Sequence, residues 1–132
     1  MLSSKKPTVY LAGGFNSGWQ NDVAQQLSEF HLLDPSKHGL AHVTDYVLWD
    51  LNAIRSCDLV LANMEATNPG GYALALEIGF AKALGKKIVL VESHADPVRE
   101  KYFEMVRQVV DERFTRLGDA IAYIRACADG KR

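Results

Sequence analysis

The sequence predicts an α/β fold: one doubly wound, flavodoxin- or Rossmann-like domain on a four- to five-stranded parallel sheet. Three observations carry that expectation. Short continuous apolar runs alternate with longer segments of helical period, the pattern of parallel strands joined by right-handed crossovers. The 132 residues suit a single domain over 1–132 and leave no room for two full ones. Apolar residues at 48% and charged residues at 23% exclude a disordered chain and a coiled coil.

Each element has its own reason. Val9, Tyr10, Leu11 and Ala12 form an apolar run closed by Gly13 and Gly14, which reads as the first strand. Val23, Leu27 and Phe30 recur at helical intervals, predicting a helix over 19–30. Leu32 and Leu33 form a weak second strand ahead of Asp34 and Pro35, and 36–40 reads as loop. Thr44 is placed to cap a helix over 45–56, whose apolar face carries Val47, Leu48, Leu51 and Ile54. Residues 59–62 form a third strand, buried on both faces because its apolar run is continuous. The sequence Asn68-Pro69-Gly70-Gly71 marks a turn. A helix over 72–84 follows and Gly85 stops it. Residues 88–91 form a fourth strand, and helices over 98–110 and 116–128 leave 111–115 for a short fifth.

Charge and composition exclude several functions. Fifteen basic against sixteen acidic residues leave a net charge of −1. The basic excess of a nucleic-acid or membrane-surface binder is missing, so neither partner is expected. Cys57 and Cys127 are too few for a disulfide framework and read as small buried hydrophobes. The polar, basic first eight residues offer no apolar run to a signal peptide, and no segment approaches a membrane span. The expectation is a soluble, cytoplasmic protein. His31, His38, His42 and His94 form no pair at ligand spacing, so no metal and no cofactor are expected. No G-x-S-x-G elbow is present, and neither cysteine has a histidine near it in sequence.

In doubly wound sheets ligands sit beyond the carboxyl ends of the strands. That directs attention to the segments after Ala12, after Ala62, where Asn63 stands, and after Val91. Glu77 is the most informative residue. Its helical neighbours Ala73, Leu74, Phe80 and Ala81 are apolar, and it lies in the second turn of a helix that follows a strand. A carboxylate on an apolar stripe must be paired, hydrogen-bonded or shifted in pKa. It reads as a catalytic group, or as a carboxylate satisfied by a backbone amide or an interface arginine. Asp50 lies at the rim of the 45–56 helix face and either points toward the same crevice or is solvated. Tyr10 needs a partner for its hydroxyl; Glu77 is one if the first and third strands are neighbours, and a core role is the other reading. The glycine-rich loop 13–19 lacks both the P-loop lysine and the G-x-G-x-x-G spacing. In it, Phe15 and Trp19 either stack on a flat heterocycle or cover the edge of the core.

With these residues in place, the chain resembles the nucleoside 2-deoxyribosyltransferase family from about Thr8 to Val91. Residues 9–15, VYLAGGF, are similar to the opening strand and glycine loop of that family. Residues 50–62, beginning at Asp50, follow its D-x-x-x-I-x-x-x-D-hydrophobic pattern. Residues 77–87, EIGFAKALGKK, are similar to its E-[IL]-G-[FY]-A-x-x-x-G-K element. The resemblance implies that Glu77 is the nucleophile that attacks C1′ of a 2′-deoxynucleoside and forms a glycosyl-enzyme. It implies that Asp50 contacts the base and helps move its proton, and that Tyr10 orients Glu77. Nucleosides or nucleotides and free nucleobases are the implied small-molecule partners, with Gly13, Gly14, Phe15, Trp19 and Asn63 near them. A homo-oligomer, dimer or higher, is implied as well.

Two positions depart from the family pattern. Gly71 stands six residues before Glu77, where the transferases carry an aspartate that holds the 5′-hydroxyl. Met105 matches a methionine of the neighbouring subunit, but Phe103 then stands in place of the accompanying asparagine. The segment from Pro69 to Tyr72, with Glu77, also resembles part of the P-G-G-x-G-T-x-x-E motif of cytokinin-activating phosphoribohydrolases. Gly70 and Gly71 at a helix start would then bind a 5′-phosphate. Deoxyribosyl transfer is the first reading. Hydrolysis of nucleoside 5′-monophosphates is the second, and a nucleotide-binding module without turnover is the third.

Overall fold

β-branched and aliphatic side chains favour extended backbone, and Thr8–Gly13 forms β1 of a computed structural model that describes residues 6–68 and 71–130. The chain continues through α1 (Trp19–Gln26), β2 (His31–Leu33), a 3-10 turn (Pro35–Lys37), α2 (Val43–Ser56) and β3 (Leu59–Met64). It then runs through α3 (Tyr72–Ala83), β4 (Lys87–Glu92), α4 (Pro97–Tyr102), α5 (Glu104–Val109), β5 (Glu112–Phe114) and α6 (Leu117–Ala128). All five strands are parallel, in the order β2-β1-β3-β4-β5. This is the expected doubly wound α/β sheet, at the upper strand count.

Strand alternation divides the core in two. Tyr10, Ala12, Val60, Ala62, Ile88 and Leu90 pack under α2, α3 and Phe103. Val9, Leu11, Leu59, Leu61, Val89 and Val91 pack under α1 and α6. Every residue of the central strand β3 is buried, as its continuous apolar run requires. The register Val9↔Leu59 through Gly13↔Asn63 brings β1 directly beside β3. The strand order reverses between these two, which opens a crevice at their carboxyl ends.

Several boundaries differ from the sequence reading. The first helix ends at Gln26 rather than Phe30. Leu27 and Phe30 are still buried, because the turn closed by Phe30 N–H on Leu27 O at 2.9 Å serves the same spacing. Loop 36–40 begins inside the 3-10 turn, which Asp34 caps by accepting from Ser36 N at 2.9 Å. The next helix starts at Val43 after His42, with no side-chain cap, so Thr44 lies inside it. The expected helix over 98–110 is two helices broken at Phe103. In a continuous helix the Glu100 carbonyl would accept from the amide of residue 104; Arg107 Nη1 donates to it instead, at 2.9 Å. Phe103 thereby turns its ring into the core, where it is buried.

Arg107 also fixes these helices to the sheet. Its Nε and Nη2 donate to Glu92 Oε1 and Oε2 at 2.7 and 3.0 Å, and Arg99 Nε donates to Oε2 at 3.1 Å. Burial pushes Glu92 up, but the two guanidinium groups outweigh it and hold the carboxyl below its ordinary range.

Candidate active site

Tyr10 sits mid-strand in β1 and points toward α2 and α3. Glu77 sits in the second turn of α3. Because β1 and β3 are neighbours, the helix that follows β3 sets Glu77 over Tyr10, and the Tyr10 hydroxyl donates to Glu77 Oε2 at 2.6 Å. Both line a cleft of about 340 Å³ at the β1/β3 crevice, together with Asp50 from α2 and Gly13 and Phe15 from the glycine loop. Pro35, His38 and Leu40 close one side, with Tyr46 of α2; Ala73 of α3 lines it as well. No lysine or arginine lines the cleft among the described residues.

Three titrations follow from this setting. Burial is the largest effect on Glu77; the Tyr10 hydrogen bond opposes it and the Asp50 charge adds to it, leaving the carboxyl at about 7. Burial also raises Asp50 above the usual carboxylate range, with His38 opposing. Tyr10 is raised by its own burial and then by the charge of Glu77, so its hydroxyl stays a donor. Two carboxylates with raised pKa values in one crevice are a reason to expect acid–base or nucleophilic chemistry there.

The other residues singled out in the sequence have distinct places. Gly13 is required by backbone contact: φ is +149°, and a Cβ there would lie 2.7 Å from Asn63 O. Asn63 is buried in β3 and does not line the cleft. Gly14 folds the loop onto α1, accepting from Trp19 Nε1 at 2.8 Å and Gln20 Nε2 at 3.0 Å. Trp19 is therefore a core wall, 3% exposed, and offers no stacking face, whereas Phe15 is 53% exposed at the cleft mouth. Gly71 lines a neighbouring cleft of about 480 Å³ with Met64 and Phe103. Its amide donates to Asn68 Oδ1 at 3.0 Å. Gly70 lies outside the described residues. Met105, on α5, is 80% exposed and stands apart from the Glu77 cleft. Sequence reasoning missed His38, Leu40 and Tyr46, and read His38 only for metal-ligand spacing. Among the described residues, no three His, Cys, Asp or Glu side chains converge as a metal site.

The model of a family described as nucleoside 2-deoxyribosyltransferase like matches residues 6–95. The chain belongs to this family. Solved structures with the same fold include a 2-desoxiribosyltransferase from Leishmania mexicana, at 22% identity and TM-score 0.70, covering 89% of this chain and 97% of that one. A 2-deoxyribosyltransferase from Bacillus psychrosaccharolyticus is similar at 20% identity and TM-score 0.73, covering 92% and 95%. A CMP N-glycosidase from Clostridium botulinum is similar at 21% identity and TM-score 0.61, covering 91% and 98%. A comparison with curated proteins returned no match. The family segment contains β1, α2, β3 and α3, and so all of Tyr10, Asp50 and Glu77.

Proposed function

We propose that this chain cleaves the N-glycosidic bond of 2′-deoxynucleosides and transfers the 2-deoxyribosyl group to another nucleobase. The observation that carries the reading is the Tyr10–Glu77 hydrogen bond at 2.6 Å inside a cleft that also holds Asp50. Ionised Glu77 attacks C1′ while Asp50 gives a proton to the departing base nitrogen, so the C1′–N bond breaks as a C1′–O bond to Glu77 forms. A second base then attacks C1′ and releases Glu77, with net retention. Tyr10 holds the attacking carboxylate in place, and the apolar walls from Phe15, Leu40 and Ala73 favour the base over water as acceptor.

The glycine turn beside the cleft favours nucleosides over 5′-monophosphates in this reading. The Gly71 amide, one of the donors that a 5′-phosphate at the glycine turn would use, already donates to Asn68. The reading is of one domain working in the cytoplasm; no described helix is long and apolar enough to cross a membrane. It is also of a homo-oligomer, because Tyr72, Leu76, Val98, Tyr102 and Met105 on α3, α4 and α5 are exposed large apolar side chains. Sedimentation at micromolar concentration tests that state.

The test of activity mixes the protein with 2′-deoxyinosine and adenine, and separately with deoxynucleoside 5′-monophosphates, using Glu77→Ala as control. New deoxyadenosine without free deoxyribose is the expected product. Release of deoxyribose 5-phosphate from the monophosphates alone would replace transfer with hydrolysis. Turnover by Glu77→Ala would remove the mechanism.

A further inference from the structure

We propose that His38 is a positioning residue for Asp50: it presents a fixed N–H to Asp50 Oδ1 and so leaves Oδ2 as the oxygen that carries the proton for the departing base. The inference rests on the proton transfer assigned above to Asp50.

The geometry of the imidazole argues for it. Leu40 N–H donates to His38 Nδ1 at 3.0 Å. A ring nitrogen that accepts a hydrogen bond carries no proton, so the proton of the ring is on Nε2. The ring edge packs on Trp49, with centroids 4.9 Å apart and planes at 66°, which fixes its direction. Nε2 stands 3.7 Å from Asp50 Oδ1. That oxygen is buried and finds no hydrogen-bond partner among the described residues. The separation is too long for a hydrogen bond and has to shorten in the reacting complex for the N–H to serve Asp50. Among the described residues no donor reaches that oxygen, and across the cleft the Tyr10 hydroxyl is committed to Glu77.

The proton balance is simple. Oδ2–H of Asp50 passes its proton to the base nitrogen as the C1′–N bond breaks. Asp50 is left as a carboxylate, and the His38 N–H then stabilises that charge. His38 itself neither gains nor loses a proton. The return transfer, from acceptor base to Asp50, runs through the same oxygen.

The experiment compares 2′-deoxyinosine with 7-methyl-2′-deoxyinosine, whose cationic base leaves without needing a proton. His38→Ala should lower kcat on deoxyinosine by about 10- to 100-fold, within the range of general acid catalysis, with KM little changed. On the methylated substrate the loss should be threefold at most. His38→Gln, which keeps an N–H donor, should recover most of the lost rate. Equal losses on the two substrates would reduce His38 to packing against Trp49, and no loss on either would remove it from the site. Failure of the unaltered protein to cleave either substrate would overturn the glycosyl chemistry and this role with it. A long-range 1H–15N spectrum of the imidazole reads the tautomer without any turnover, and a proton on Nδ1 would overturn the proposal.

Discussion

Replacing Glu77 by Gln should make this protein more stable, and increasingly so as pH rises. The carboxyl moves from an ordinary 4.5 to about 7 because burial disfavours its charge more than the Tyr10 hydrogen bond favours it. The folded pKa is the higher one, so the native state holds this proton more tightly than the unfolded chain does. Stability therefore falls as pH rises from 4.5 toward 7, and the loss is complete above the folded value. The rise corresponds to about 3 kcal/mol. Gln carries no charge to desolvate, and its amide oxygen still accepts from Tyr10. Urea unfolding should give the two proteins similar stability near pH 4.5. Near pH 8 the variant should lead by about 2–3 kcal/mol, or several degrees in Tm. Turnover of the unaltered protein should fall as pH drops below 7, because in the proposed mechanism only the carboxylate attacks. Parallel pH–stability curves, or a less stable variant at pH 8, would show that Glu77 ionises like a solvated carboxylate. The burial argument for its reactivity would then be wrong.

Three further outcomes can be measured. Tyr10→Phe should lower kcat by about 10- to 1000-fold, on the scale of a lost preorganising hydrogen bond. It should also shift the acid limb of the pH–rate profile upward, since the Tyr10 bond is what lowers the Glu77 pKa; an unchanged rate and limb would assign Tyr10 to the core alone. Arg107→Met leaves Glu92 largely buried without its main partner and should cost about 3 kcal/mol or more in urea unfolding. Adding Glu92→Gln should recover part of that loss, and no loss at all would refute the network. Gly13→Ala places a Cβ 2.7 Å from Asn63 O at a φ of +149°. It should destabilise by about 2 kcal/mol or more, and a neutral result would mean that the loop shifts freely.

What the sequence disclosed depended on whether the signal was local. Glu77 was legible because a lone charge on an apolar helical stripe contradicts its surroundings. The parallel sheet was legible because 59–62 and 88–91 are continuous apolar runs. The break at Phe103 was not, because it depends on Arg107 reaching back to the Glu100 carbonyl while holding Glu92 of β4. The end of α1 was hidden for a related reason: a three- or four-residue apolar interval fits a turn as well as a helix, so Leu27 and Phe30 looked helical. Trp19 is 3% exposed; its glycine neighbours gave no hint that its N–H would bond Gly14. His38 had no sequence signal, since Asp50 reaches it from a different element and its tautomer is set by Leu40.

Among the described residues no lysine or arginine lines the cleft, and that has a chemical consequence. A lysine or arginine beside Glu77 would stabilise its charge and hold its pKa low. The carboxylate would then be ionised at every working pH and weakly nucleophilic. Tyr10 instead supplies one hydrogen bond without a positive charge, and its raised pKa keeps it protonated while it does so. Burial raises both carboxyls above their ordinary values, and the negative charge of Asp50 raises Glu77 further. Burial pushes both acids upward in one cleft, and no lysine or arginine lines it among the described residues. In the proposed mechanism one of these acids attacks and the other donates, which is the division of labour that breaking an N-glycosidic bond requires.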